Sequence, residues 1–181
     1  MIWFLYAPIN LLFMVICYIL NPLVVLFADS GGNLPRWLSW FQTPDSILDK
    51  SPKWVAENWP MLVIKDDWQS WRKYLYKYLQ RVAWLYRNTG YGFSCSVLRY
   101  KGSMENLIVR GIPKPGELNP GFWFAYDETV SLWRRGWCIY GYYRYSQSSK
   151  WYLRVYLGWK FHNSGITQRM FALHINPFRR L

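Results

Sequence analysis

The side chains that most often catalyse reactions or hold metals are scarce in this chain. Its two histidines, His162 and His174, lie near predicted strand ends and lack the spacing of a metal-ligand pair. Two pairs of adjacent acids, Asp66-Asp67 and Asp127-Glu128, suggest acid–base chemistry. Neighbours in a strand point to opposite faces, however, and adjacent acids more often form caps or turns. We therefore predict structural or surface roles for these residues, with no catalytic residue, no metal site and no cofactor.

The three cysteines indicate neither a disulfide framework nor a zinc site. Cys17, Cys95 and Cys138 form no closely spaced pair, and Cys17 lies in an apolar segment. A reducing compartment fits this pattern best, although a single bridge between Cys95 and Cys138 stays open. The sequence also contains no G-x-S-x-G, Walker-type glycine loop, H-E-x-x-H or C-x-x-C, which lowers the chance of an enzyme without excluding one.

The chemistry that the sequence does suggest is anion binding by basic residues beside aromatic rings. The formal net charge is +12, and after Asp67 there are 18 Lys and Arg against four acids. Arg134-Arg135 and Arg179-Arg180 are basic doublets next to Trp or Phe. Such doublets can hold nucleic-acid phosphates while the rings stack on bases, or they can rest on anionic lipid headgroups. We favour lipid, because the start of the chain predicts a membrane anchor.

That anchor is predicted over the first 28 residues, none of which is charged. Roughly 20 helical residues cross a hydrocarbon layer of ~30 Å, and Ile2 to Leu20 supplies most of them. No Lys or Arg precedes this run and no convincing cleavage site follows it, so we favour a retained anchor over a signal peptide or a buried core helix. Pro22 predicts that the helix kinks or ends near Leu20, with Leu23 to Phe27 as an extension or a shallow segment.

The position of the basic residues predicts the orientation of this anchor. All Lys and Arg follow it, and such residues favour the cytoplasmic side of a membrane. We therefore expect a single span, with the N terminus outside and the basic domain in the cytoplasm.

Residues 29–65 are predicted to form a juxtamembrane connector that is rich in loops and aromatic rings. Trp37, Trp40 and Phe41 lie close to Arg36, directly after the anchor. Aromatic rings beside a base are typical of the belt that lies at a membrane–water interface. A short core helix of the soluble part is the alternative interpretation.

An amphipathic helix is predicted over residues 67–87, with Asp66 as its N-cap. Large apolar residues recur there every three or four positions, and the basic residues form a second stripe that contains Arg72, Lys73, Lys77 and Arg81. We favour a helix whose apolar stripe packs on a sheet. The alternative is a helix in the headgroup layer, in which these four bases bind lipid phosphates.

From about residue 94 the apolar pattern alternates, which predicts strands. The predicted strands are Ser94–Tyr100, Leu107–Ile112, Phe122–Tyr126, Trp137–Tyr145, Trp151–Phe161 and Arg169–Ile175. The turn Ser146-Gln147-Ser148-Ser149 makes a hairpin of the fourth and fifth. The expected fold is α+β, with an anchor at 1–28, a connector at 29–65 and, over 66–181, a basic domain that contains an antiparallel sheet of about five or six strands.

Four stretches of the sequence resemble small uncharacterised membrane-anchored proteins of tailed bacteriophages. They read YAPINLLFMVICYILNPLVVLFAD, GNLPRWLSWFQTPDSILD, WLYRNTGYGFSCSVL and LRVYLGWKF. The resemblance covers most of the chain. It implies a phage or prophage origin and the bacterial inner membrane, but it implies no activity and no site residues.

These observations predict a non-enzymatic phage membrane protein whose basic aromatic domain binds the membrane surface, or a host or viral protein, during infection. One alternative is a virion component that engages membrane or DNA during entry. Another is a membrane-associated enzyme that acts on lipid or envelope substrates, for which a pocket should gather a histidine with acids. A lysis factor of the holin type would not need the large folded half. The expected partner is the bilayer with its anionic headgroups; a host or phage protein comes next, nucleic acid is less favoured, and no oligomeric state is predicted.

Overall fold

The computed structural model describes residues 2–112, 119–146, 149–162 and 164–180. It confirms the predicted α+β class, with a long apolar N-terminal helix, further helices and a five-stranded antiparallel sheet. The helices are α1 (Ile2–Val25), α2 (Pro52–Asn58), α3 (Ser70–Arg87) and α4 (Tyr91–Ser96), and the strands are β1 (Leu107–Gly111), β2 (Gly121–Asp127), β3 (Trp137–Arg144), β4 (Trp151–Trp159) and β5 (Phe171–Arg180).

The chain forms two compact units, and α1 contributes to both. Unit 1 contains residues 1–9 and 94–181, and unit 2 contains residues 10–93. This division differs from the predicted one at 1–28, 29–65 and 66–181. The reason is that α3 and the connector pack with residues 10–25 of α1 in one core, so the amphipathic helix belongs with the N-terminal segment.

The sheet of unit 1 is a simple meander in the order β1-β2-β3-β4-β5. The predicted hairpin is present: Ile139 of β3 pairs with Leu157 of β4, and the register continues to Cys138 and Gly158. Gly158 has a φ of 95°, and a Cβ there would collide with the carbonyl oxygen of Trp137, so the pairing requires glycine. Of the predicted turn, Gln147 and Ser148 lie outside the described residues.

The predicted first strand, Ser94–Tyr100, is wrong, because residues 91–96 form α4. Close backbone packing within unit 2 explains the start of this helix. The N–H of Phe93 donates to the carbonyl of Trp40 at 2.9 Å, and a Cβ at Gly92 would collide with the carbonyl oxygens of Ser39 and Gln42. The predicted N-cap is also wrong: α3 begins at Ser70 with Gln69 before it and no side-chain cap.

Helix α1 continues through Pro22 and ends at Val25, beyond the predicted kink or end near Leu20. Proline has no N–H, so the carbonyl of Tyr18, four residues earlier, lacks its usual helical donor. The hydroxyl of Tyr86 on α3 donates to this carbonyl at 3.2 Å, and the hydroxyl of Tyr78 donates to the carbonyl of Pro22 at 3.0 Å. Two tyrosines of α3 thus supply hydrogen bonds that the end of α1 cannot make within itself.

The core of unit 2 lies between α1, the connector and α3. Its buried members are Cys17, Val24, Val25, Leu38, Phe41, Leu48, Val82 and Leu85. Phe13 of α1 stacks on Phe93 with ring centroids 4.2 Å apart and also contacts Phe41. One side of α1 is therefore packed in the core of unit 2.

Candidate functional site

Helix α1 has its polar residues on the packed side and its large apolar residues on the exposed side. Asn10 and Asn21 are 4 % and 0 % exposed. In unit 2 the exposed apolar residues of this helix are Leu11, Leu12, Val15, Ile16, Tyr18, Ile19 and Leu23. Leu12 is 63 % and Ile19 69 % exposed. This is the reverse of the pattern in a soluble amphipathic helix, whose exposed side is polar.

By its length and composition alone, helix α1 is also long and apolar enough to cross a membrane. Only 28 % of its most apolar window is buried inside the structure. A core helix of a soluble protein would be mostly buried, so burial within the chain does not account for the apolar composition. We call the exposed apolar side of α1 in unit 2, from Leu11 to Leu23, the apolar face.

Unit 1 has a smaller exposed apolar patch of its own, at the start of α1. Phe4 and Leu5 are exposed, as are Leu132 and Trp133 in the loop between β2 and β3. The N–H of Ile2 donates to the carbonyl of Trp133 at 2.7 Å, which holds this loop against the first turn of the helix. Large exposed residues that adjoin one another in this way are typical of surfaces that bind a partner or a membrane.

The three rings of the predicted aromatic belt differ in their exposure to solvent. Trp37 and Trp40 are exposed, and Trp37 contacts the exposed ring of Phe27 with centroids 5.4 Å apart. Phe41 instead lies in the core of unit 2, where it is 8 % exposed. Two of the three predicted rings are therefore exposed, and the third stabilises the fold.

The basic stripe of α3 is largely occupied by contacts within unit 2. Arg81 makes a bidentate pair with Asp49, from Nε to Oδ1 at 2.6 Å and from Nη2 to Oδ2 at 2.9 Å. Lys77 Nζ lies 3.1 Å from Oδ2 of the same carboxylate, and Lys73 Nζ donates to the carbonyl of Asp66 at 2.7 Å. Burial alone would raise the pKa of Asp49, but the hydrogen bonds and charges of Arg81 and Lys77 outweigh it and lower that pKa.

The remaining predicted bases lie in different settings. Arg72 is exposed and stacks on Trp68, with its guanidinium carbon 3.9 Å from the ring centroid. Arg135 donates from Nε to the carbonyl of Val130 at 3.3 Å, whereas Arg134 is exposed. Arg179 and Arg180 form the last backbone pairs of β5, opposite Tyr152 and Trp151 of β4.

Arg134 also lines a cleft of about 370 Å³ in unit 1, together with two further bases, Arg99 and Lys101. The apolar part of the lining includes Ile2 and Tyr6 of α1. Three cationic side chains and no carboxylate line this space within the described part of the chain. We call it the basic cleft.

Two aromatic residues, Tyr100 and Trp159, form the buried part of the cleft lining, with their ring centroids 5.5 Å apart. The hydroxyl of Tyr100 donates to the buried carboxylate of Asp127, and the indole N–H of Trp159 donates to the carbonyl of Leu98 at 2.9 Å. Burial and the negative carboxylate raise the pKa of Tyr100 to about 12, so it stays neutral. Because the hydroxyl of Tyr100 and the indole N–H of Trp159 already donate hydrogen bonds within unit 1, both rings present mainly apolar surface to the cleft.

A family model for a family of unknown function, DUF7338, matches residues 1–181. The chain belongs to this family. No curated protein and no solved structure matches it. The family's description mentions neither phages nor membranes, so the phage origin that the resemblance implies stays a prediction.

His162, one of the two histidines of this DUF7338 chain, lies in an aromatic cluster of unit 1. Its ring stacks on Tyr140 with centroids 4.3 Å apart, and its Nδ1 lies 2.9 Å from the hydroxyl of Tyr156. Burial, together with the charges of Lys160 and Arg154, lowers the pKa of His162 to about 4, so the ring is neutral at pH 7. Burial likewise lowers the pKa of Lys160 to about 8.

This cluster does not assemble an acid–base site from the described residues. The groups that perturb His162 are both cations, and none of its ring or hydrogen-bond contacts is a carboxylate. His174 lies on the neighbouring strand, where its backbone pairs with Tyr156, and it is exposed. Among the described residues, no group of three His, Cys, Asp or Glu side chains could hold a metal.

Sequence reasoning missed Asp49, Arg99 and Lys101. Arg99 and Lys101 flank Tyr100, and alternation places residues two apart on the same side of an extended chain, so a local signal for a basic pair was present. Asp49 lies 32 residues before Arg81, and no local pattern connects the two.

Proposed function

We propose that this protein is a non-enzymatic membrane-bound protein that inserts the apolar face of α1 into one leaflet and holds its basic, aromatic surface against the headgroups. The observation that carries this proposal is the reversed pattern of α1, with Asn10 and Asn21 buried and Leu12 and Ile19 exposed. In water this arrangement is unfavourable, because it exposes apolar side chains to solvent and buries polar amide groups. In a bilayer the same arrangement is the favourable one.

The apolar face is large enough to hold the protein on a membrane. Burying a whole Leu, Ile, Val or Phe side chain is worth about 1.5–3 kcal/mol. Residues such as Leu12, Ile19 and Leu23 expose between 57 % and 69 % of their surface, so each still has about 1–2 kcal/mol to gain. Five such residues would contribute roughly 5–10 kcal/mol, and the exposed rings of Trp37 and Trp40 add interfacial contacts.

The packing of α3 favours an in-plane position of α1 over a full crossing. Tyr78 and Tyr86 of α3 hydrogen-bond to carbonyls of α1, so the two helices adjoin at Tyr18 and Pro22. A crossing α1 would carry with it the adjoining part of α3, from Tyr78 to Tyr86, and Arg81 lies in that part. Each base at the bilayer centre costs about 2.5–3.5 kcal/mol. An α1 that lies in the interface keeps Arg81 and its partner Asp49 out of the hydrocarbon.

The cellular setting that we propose is the inner membrane of a bacterial host during phage infection, with the basic domain on the cytoplasmic side. This part rests on the resemblance to phage proteins, and an in-plane α1 leaves the whole chain, including its basic domain, on one side of the membrane. A host or phage protein that binds the same surface is compatible with this role.

The test is expression of the full chain in bacteria, followed by fractionation and alkaline carbonate extraction. We expect the protein in the membrane fraction after carbonate treatment, because its attachment is apolar. Tags at the two termini, probed with protease in spheroplasts, should both be protected if α1 lies in-plane on the cytoplasmic side, whereas the N-terminal tag alone should be cleaved if α1 crosses. Recovery of the wild type in the soluble fraction would overturn the proposal.

A matched pair of variants separates the apolar face from general surface charge. L12E/I19E places two acids on the apolar face, and I47E/M61E places two acids at exposed apolar positions of unit 2 outside α1. We expect a membrane-bound fraction more than tenfold lower for the first variant and little changed for the second. Equal loss in both variants would mean that the apolar face is not the membrane-binding surface. A soluble oligomer of the wild type would instead indicate that a second copy covers it.

A further inference from the structure

The basic cleft of unit 1 presents three cationic side chains that the fold itself does not neutralise. Within the described part of the chain, no carboxylate lies within ion-pair distance of Arg99, Lys101 or Arg134. The nearby Asp127 is 1 % exposed and accepts hydrogen bonds from Tyr100 and Thr129, so its carboxylate does not form an ion pair with the bases of the cleft. Three like charges around one concave space repel each other unless an anion joins them.

We infer that the basic cleft binds the phosphate of an anionic phospholipid headgroup; this inference rests on the membrane attachment proposed above. Arg99, Lys101 and Arg134 would hold the phosphate oxygens through charge-assisted hydrogen bonds. Because three bases face one group, the site should prefer a headgroup with more than one negative charge, such as a phosphomonoester, over a zwitterionic one. The volume of about 370 Å³ lies at the low end for ligand pockets and suits a single headgroup.

The chemistry of the other lining residues agrees with a lipid. The hydroxyl of Tyr100 and the indole N–H of Trp159 already have acceptors within unit 1. These rings therefore offer apolar surface to the glycerol backbone of a lipid rather than further hydrogen bonds. The phosphate must then lie toward the three bases.

The surroundings of the cleft decide between a lipid and a soluble phosphate. Ile2 and Tyr6 of α1 line the cleft, and Arg134 directly follows the exposed Trp133 in a loop that is hydrogen-bonded to Ile2. Phe4 and Leu5 are exposed on the same first turns of the helix. A lipid whose phosphate occupied the cleft would have apolar side chains beside its acyl chains, whereas a free phosphate would gain nothing from them.

The experiment is isothermal titration of the full chain in non-ionic detergent micelles with short-chain lipids. The probes are dihexanoyl phosphatidic acid, dihexanoyl phosphatidylcholine, inorganic phosphate and glycerol phosphate, with a single-stranded oligonucleotide as a further arm. The variant R99Q/K101Q/R134Q is compared with R110Q/K150Q/K53Q, whose residues are exposed and do not line the cleft. Both variants lower the formal net charge from +12 to +9.

We expect the wild type to bind phosphatidic acid more tightly than the other probes. A base near a phosphate is worth roughly 1 kcal/mol, or about fivefold in affinity, so the cleft variant should bind about 100-fold more weakly. The control variant should stay within about fivefold of the wild type. Circular dichroism of both variants shows whether the fold is kept, and R134K should retain most of the affinity because it retains the charge.

Several outcomes would overturn this inference. Equal loss in the cleft and control variants would show general charge attraction, and equal affinity for inorganic phosphate and phosphatidic acid would show a site for a soluble anion. Tighter binding of the oligonucleotide, lost in the cleft variant, would show a nucleic-acid site. A wild type that resists carbonate extraction but does not select phosphatidic acid would refute the cleft alone and leave the proposed function intact.

Discussion

The ion pair between Asp49 and Arg81 gives the sharpest prediction about the basic stripe of α3. Replacing Asp49 with Asn removes the negative charge but keeps the size of the side chain. Arg81, whose side chain is only 11 % exposed, then keeps its positive charge without a counter-ion. We expect α3 to open more readily around this position.

The magnitude follows from how far the pair is buried. Removing one partner of a fully buried pair costs about 3–5 kcal/mol, and exposed pairs contribute about 0–1 kcal/mol. With side-chain exposures of 11 % for Arg81 and 24 % for Asp49, this pair lies nearer the buried limit. We therefore expect D49N to lower the local free energy of opening by about 2–3 kcal/mol, a roughly 30- to 150-fold increase in the opening equilibrium.

The assay is amide hydrogen exchange of α3 peptides at pH 7 in detergent micelles, which measures local opening. The matched control is E57Q, which also removes one acid, because Glu57 and Lys53 form an exposed pair at 3.9 Å. That control should change exchange by less than about 0.5 kcal/mol. If D49N accelerated exchange no more than E57Q, Arg81 would not be held by Asp49, and the stripe would be free to bind lipid, which is the alternative that the sequence left open.

The same pair predicts an acid dependence. Because the pKa of Asp49 is lowered in the folded chain, its stabilising contribution is complete above the ordinary value of ~3.9 and is lost as the pH falls through the lowered one. The protection factors of the α3 amides, which correct for the slower intrinsic exchange in acid, should therefore fall below about pH 4 in the wild type. D49N should lack this part of the acid dependence.

Two further predictions concern hydrogen bonds inside each unit. In unit 2, Y86F leaves the carbonyl of Tyr18 without its donor and should lower the free energy of unfolding by about 1 kcal/mol, measured by thermal unfolding in micelles, whereas Y74F at an exposed ring should change it little. In unit 1, D127N removes a buried charged acceptor and should cost about 1.5–3 kcal/mol at pH 7. Burial raises the pKa of Asp127, but its hydrogen bonds outweigh this and lower it, so the wild-type stabilisation is lost only as the pH falls below ~3.9. Near-UV circular dichroism against pH tests this, with E128Q as the control, and equal curves for the two variants would contradict it.

Much of the fold could be predicted because it depends on local periodicity. The alternation from Trp151 onward defined β4, and the apolar spacing before Arg87 defined α3 to within three residues at its start. The helix α4 could not be predicted, because its start is set by Gly92 packing under carbonyls of Ser39 and Gln42, some 50 residues earlier. Short alternating runs cannot report a contact of that kind.

The candidate site was predictable only in part for a related reason. The sequence shows where the basic and aromatic residues are in the chain, but not which of them are buried or paired within the fold. Phe41 and Arg81 look like surface residues in the sequence, yet one lies in the core and the other pairs with Asp49. Conversely, Arg99 and Arg134 are far apart in the chain and share a cleft only through the packing of unit 1.

Two asparagines in the sequence mark the side of α1 that packs in the fold, although the high overall hydropathy of the helix conceals this pattern. Asn10 and Asn21 are 11 residues apart, three helical turns, so they lie on one side of the helix. In a soluble helix that side would face water, yet here both residues are buried. Among the described residues, the amide of Asn21 has no hydrogen-bond partner, a cost of about 1–3 kcal/mol. On a side in contact with hydrocarbon the same amide would be costlier still, which agrees with the membrane attachment proposed above.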